Sequence, residues 1–78
     1  MTYTTDNIAE LDVLMLFDLS TNQEGIKIHK SAEPVVIAAA KRLFEKGFIT
    51  QVDGGYLTNL GSEAAEQAQS LFTMLNAD

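Results

Sequence analysis

The chain has 78 residues, 46% of them hydrophobic, no cysteine and a net charge of −6 at neutral pH. One small α+β domain over residues 1–78 follows, with so limited a core that a second subunit would help it, because a chain this short buries only roughly 60% of its unfolded surface. Disulfides, thiolate chemistry and cysteine-held metals are excluded, as is a bilayer span, since the longest apolar run is Val13-Leu14-Met15-Leu16-Phe17.

MTYTTDNIAE lacks the basic and apolar regions of a signal peptide, so the expected compartment is the cytoplasm. Asn7 with Glu10 has the form of a capping box, and an apolar-periodic run follows, predicting a first helix over 7–19. Ile8, Leu11, Met15 and Leu19 make one stripe, and Val13, Leu16 and Phe17 lie on the other side. Such a helix needs cover on two sides. Residues 25–29 alternate apolar and polar side chains and predict a short strand, with Lys27 and His29 on its outer face.

A second helix is expected over 32–46, capped by Ser31, with Pro34 in its first turn and Gly47 as its left-handed stop. Its apolar arc is read as Val36, Ile37, Ala40, Leu43 and Phe44, and its outer face as Val35, Ala38, Ala39, Lys41, Arg42, Glu45 and Lys46. Residues 48–52 and 56–58 read as a hairpin turning through Asp53-Gly54-Gly55. Thr58 or Asn59 then caps a last helix over 59–76, with Leu60, Ala64, Ala68, Leu71, Phe72 and Leu75 as its stripe. The fold class is mainly α within α+β, in the order α-β-α-β-β-α: three helices and a small antiparallel sheet.

Charge is unevenly distributed. All five bases, Lys27, Lys30, Lys41, Arg42 and Lys46, and the single His29 fall within 27–46, where the only acids are Glu33 and Glu45. That window carries +3 and the rest of the chain −9. A dipole of this kind can orient a protein toward an anion although its total charge is negative.

Lys46-Gly47-Phe48-Ile49 followed by Asp53-Gly54-Gly55-Tyr56-Leu57-Thr58, and a helix opened by Leu60-Gly61, resembles the recognition helix, wing and following helix of winged helix-turn-helix regulators such as the multiple-antibiotic-resistance regulator family. The resemblance covers about residues 25–76. The whole chain is also similar to short uncharacterised proteobacterial proteins, some of them labelled DNA-binding. The resemblance implies a small DNA-binding protein, a transcriptional regulator, with helix 32–46 in the major groove and loop 52–55 on the adjacent backbone. Lys27, Lys30, Lys41, Arg42 and Lys46 would lie on phosphates of double-stranded DNA. It further implies a homodimer through the last helix, where Leu71, Phe72, Met74 and Leu75 crowd the final turns.

The side chains also support another reading. The first eight positions of the second helix, from Ala32 to Ala39, offer no donor to a base edge, and the hairpin tip carries Gln51 and Asp53. The bracing helix expected before a recognition helix has no room between Leu19 and Ser31 beyond a turn. The alternative is a protein–protein interaction module, in which Val35, Ala38 and Ala39 let a partner helix approach closely. An enzyme is not expected, nor a cofactor or metal. No nucleophile–base pair can be read, Glu63 and Glu66 read as a solvated helix face, and one His without Cys cannot anchor a typical zinc site.

Overall fold

A computed structural model describes residues 1–21 and 23–77. Three helices and a three-stranded antiparallel sheet follow one another as α1 (Thr5–Leu14), β1 (Ile26–Lys27), α2 (Pro34–Glu45), β2 (Ile49–Gln51), β3 (Gly54–Leu57) and α3 (Asn59–Leu75). This is the expected α+β class and element order.

The capping box of α1 lies one turn earlier than the sequence suggested. The Thr4 hydroxyl accepts from the Asn7 N–H at 3.0 Å, and the Asn7 amide oxygen accepts from the Thr4 N–H at 3.2 Å. Asn7 is therefore the third residue of the helix, and Glu10 takes no part in the cap. The helix also stops at Leu14 although apolar residues continue to Leu19. The Asp18 carboxylate accepts from the Ser20 N–H at 2.9 Å and from the Ser20 hydroxyl at 2.6 Å, closing a turn that competes with helix. The Gln69 amide of α3 donates to the Leu14 and Phe17 carbonyls at 3.2 and 2.9 Å, satisfying groups left unpaired where α1 ends. Val13 and Phe17 face the core, while Ile8 on the helix and Leu16 and Leu19 beyond its end stay exposed, so the apolar residues of this segment are covered on one side.

In the sheet β3 is central, flanked by β1 and β2. Ile26 pairs with Gly55 and Lys27 with Gly54; on the other side Ile49 faces Leu57 and Gln51 faces Gly54, with a bulge between them. The turn falls at Val52 and Asp53, and Gly54 and Gly55 belong to the strand, both at positive φ. A Cβ on Gly54 would meet the Ile26 carbonyl, and one on Gly55 the Thr50 hydroxyl, so the two glycines let both neighbouring strands close on β3. The strand expected over 25–29 keeps only two residues, because after Lys27 the chain leaves the ladder for a turn in which the Ala32 N–H donates to the His29 carbonyl at 3.0 Å.

Glu33, not Ser31, precedes the first turn of α2, without a side-chain cap, and Pro34 supplies the first position, where no N–H is needed. The helix ends with the Phe48 N–H on the Leu43 carbonyl at 2.9 Å and the Gly47 N–H on the Phe44 carbonyl at 3.0 Å, the paired bonds of a Schellman stop with Gly47 in the left-handed region. The Thr58 hydroxyl donates to the Gly47 carbonyl at 2.6 Å and accepts from the Gly61 N–H at 3.0 Å, tying the end of α2 to the start of α3.

The core is built from Val13 and Leu14 of α1, Phe17 just beyond its end, Ala39, Ala40 and Leu43 of α2, Ile49 of β2, and Ala65 and Ala68 of α3. Two helices are turned relative to their expected faces. On α2, Ala39 is fully buried, while Ile37 and Phe44 are 38% and 42% exposed. On α3, Gly61, Ala65 and Ala68 face inward, while Leu60, Phe72 and Leu75 face out. The cause is the same in both: small residues let backbones approach closely, so alanines and a glycine lie at the contacts and bulky neighbours are turned outward. Among the described residues, no helix is long and apolar enough to cross a membrane.

Candidate functional site

The five bases form two groups with different surroundings. Asp6 and Glu10 lie four residues apart on α1, and Arg42 of α2 and Lys46, the residue that caps it, are also four apart, so each pair occupies one helix face. Where α1 and α2 pack, the two faces meet. Arg42 Nε donates to Glu10 Oε2 at 2.5 Å, and Lys46 Nζ donates to Glu10 Oε1 at 2.8 Å. Arg42 also reaches the Asp6 carbonyl at 3.3 Å and its carboxylate at 3.8 Å. The Glu10 side chain is only 9% exposed, whereas those of Arg42 and Lys46 are 27% and 46% exposed.

Burial raises the Glu10 carboxyl, but hydrogen bonds from Lys46 and Arg42, together with their charges, outweigh it and hold the group below its ordinary value. The bond to Glu10 in turn raises the Arg42 guanidinium. Both oxygens of a buried carboxylate are thus occupied by the bases expected on phosphates. Arg42 and Lys46 are turned toward their own molecule, which corrects the sequence-based reading of them as outward-facing. The sequence pattern assigns Glu10 to a helix cap; what it pairs with instead depends on how two helices dock.

Lys27, Lys30 and Lys41 are all exposed and, among the described residues, take part in no ion pair. They share one open groove of about 890 Å³ between α2, the segment leaving β1 and the β2–β3 turn. The Ile28 N–H donates to the Asp53 carbonyl at 2.8 Å, fixing that segment against the turn. Ile28, Ile37, Ala40 and Val52 give the groove apolar walls, His29 and Ser31 lie at its edge, and Asp53 is its single carboxylate. Ile37 and Val52 are both solvent-exposed. The exposure of Ile37 departs from its place in the expected apolar arc of the helix, whereas Val52 lies in the turn expected to face outward.

On the outer face of α2, Val35 and Ala38 are exposed as expected, while Ala39 is fully buried in the core and unavailable to a partner. In the last turns of α3, Phe72, Met74 and Leu75 are exposed and Leu71 is half-buried.

A smaller cavity of about 320 Å³ carries Asp18, Glu24 and Glu66 with Tyr56. The Asp18 carboxyl is held below its usual range by the hydrogen bonds from Ser20, which occupy it in the turn. Glu63 and Glu66 are exposed along α3. Among the described residues, no three His, Asp or Glu side chains converge on a point that could hold a metal ion, and no buried side-chain nitrogen or oxygen is without a partner.

The α2 groove and the ion-paired cluster therefore belong to one fold that is matched along nearly its whole length. The chain belongs to DUF5669. It is described as a family of unknown function and matches residues 1–76, all six elements included. No curated protein and no solved structure matches the chain.

Proposed function

We propose that this chain is a small winged-helix-type binding module that receives another protein on the face formed by α2 and its hairpin. The observation that carries the reading is the character of that face: Val35, Ile37, Ala38, Phe44 and Val52 are exposed around it, and among the described residues Lys41 is the one base of α2 that takes part in no ion pair. Apolar side chains held open beside a groove suit a protein surface, in which they are covered at the centre and charges remain at the rim. They give a nucleic acid little to bind. Base edges ask for donors and acceptors, and none is available from Pro34 to Ala40.

DNA is the second reading, favoured by the gathering of Lys27, Lys30 and Lys41 on one rim. With Arg42 and Lys46 engaged by Glu10, about three phosphate contacts remain for each copy, so DNA binding would be weak and would fall away with a little added salt. Duplication on a two-fold axis would double the footprint. The same proposal includes a homodimer through the end of α3, where Phe72, Met74 and Leu75 are exposed and residues 67–77 carry no charge.

A photo-crosslinking residue at position 37, read by mass spectrometry in cells, separates the two readings. Attachment to a defined protein, lost when Ala38→Glu is added, is the expected result. Attachment to DNA, with anisotropy binding to genomic fragments at about 50 mM salt, would replace it with the second reading.

A further inference from the structure

From the chemistry of the groove we infer that its occupant is an acidic amphipathic peptide segment, one carrying apolar side chains on one side and carboxylates flanking them. The inference rests on the reading of this face as a protein-docking surface. Two features of the groove must be met together. Its walls present Ile28, Ile37 and Val52, of which Ile37 and Val52 are open to solvent. Its rim carries Lys27, Lys30 and Lys41, none of them paired among the described residues, against the single carboxylate of Asp53.

A phosphate or a nucleic-acid backbone would meet the lysines and leave the apolar walls in water. A neutral apolar peptide would cover the walls and leave three ammonium groups beside a desolvated surface. A basic peptide would place like charges against the rim. An acidic amphipathic segment meets both features. Its apolar residues are covered between α2 and the hairpin turn, and its carboxylates reach lysines whose flexible stems let them follow either a helical or an extended backbone.

Complementarity of this sign also discriminates. The rest of the molecule is strongly acidic, nine acids outside the 27–46 window with no base among them, so an acidic segment is repelled elsewhere and directed to this groove. The two remaining bases, Arg42 and Lys46, already hold Glu10.

The test uses three synthetic peptides with identical leucine positions at helical spacing, whose remaining positions are all Glu, all Gln or all Lys. Each is titrated into the isotope-labelled full chain and followed by amide chemical shifts. The expected result is saturable binding of the Leu/Glu peptide, with shifts confined to residues 27–41 and 52–53. Affinity should fall about tenfold in Lys41→Glu and should fall again when salt is raised from about 50 to about 300 mM. The Leu/Lys peptide should not bind. Ile37→Ser, also a surface change, serves as a second variant and should weaken the complex without altering the circular dichroism of the free chain.

Equal binding of the Leu/Gln and Leu/Glu peptides at these residues would overturn the acidic occupant while leaving protein docking in place. Displacement of the bound peptide by a short DNA duplex, with the same residues shifting, would overturn both. Absence of Leu/Glu binding to the folded chain at low salt would overturn the inference.

Discussion

Replacing Glu10 removes the acceptor that two bases share, and the cost can be worked from the contacts. A hydrogen bond involving a charged group contributes about 1.5–3 kcal/mol when buried, whereas an exposed ion pair contributes about 0–1 kcal/mol. Glu10 is buried, but Arg42 and Lys46 reach water, so each bond falls between these limits, near 1 kcal/mol. Glu10→Ala should therefore destabilise the fold by about 2 kcal/mol, and Glu10→Gln, which keeps the packing and a neutral acceptor, by about 1 kcal/mol. A chain of this length has only about 4–12 kcal/mol in all. With a urea dependence of roughly 1 kcal/mol per molar for so small a domain, the alanine variant should unfold about 2 M earlier in urea, followed by circular dichroism.

The effect should also depend on pH. Because the folded Glu10 carboxyl lies below its ordinary value of 4.5, its contribution is fully present above that value and is lost as pH falls through the lowered one. The wild type and Glu10→Gln should therefore converge in stability as the solution is acidified below about pH 4.5. An alanine variant unfolding within about 0.3 M urea of wild type, or a Gln difference that stays constant through acid, would refute the reasoning.

Three further outcomes are expected. Gly61→Ala should lower stability by about 3 kcal/mol, because its Cβ would run into the Phe48 carbonyl, which already accepts from the Thr58 N–H at 3.0 Å; thermal unfolding reads it, and an unchanged midpoint would contradict the close approach of α3 to the residue before β2. Gln69→Ala should cost about 1 kcal/mol and raise amide exchange at Met15 and Leu16, since the Leu14 and Phe17 carbonyls lose their donor; exchange that rises nowhere near α1 would count against this capping role. Leu75→Asp should abolish a concentration-dependent shift in sedimentation while leaving the fold unchanged, whereas a wild type that sediments as a monomer at all concentrations would rule out the dimer through α3.

The order of elements can be read from the sequence because its punctuation is local. Pro34, Gly47, Asp53-Gly54-Gly55 and Thr58 each act on neighbouring backbone, and each falls at the boundary or turn it implied, with Gly54 and Gly55 serving the strand beyond the turn. Helix faces were less legible. A reading weighted toward large apolar side chains puts Ile37, Phe44, Leu60 and Phe72 inside, whereas Ala39, Ala65 and Gly61 are what allow the helices and the residue before β2 to come together. The end of α1 depends on Gln69, distant in sequence, and the capping box falls one turn before the place the pattern suggests because Asn7 fits two roles in it. For the candidate site, clustering of the bases was plain, and the placement of Lys27, Lys30 and Lys41 on one rim follows from it. The division of that cluster was not, because Asp6 and Glu10 meet Arg42 and Lys46 only once α1 and α2 have docked in register.

That division is tested most directly by lysine acylation kinetics on the native chain, resolved residue by residue with mass spectrometry. The account predicts that Lys27, Lys30 and Lys41 react at similar, fast rates, that Lys46 reacts several-fold more slowly because its ammonium is held against Glu10 at 2.8 Å, and that Lys46 alone accelerates in Glu10→Gln. Equal rates at all four lysines, or a Lys46 rate indifferent to Glu10, would contradict it.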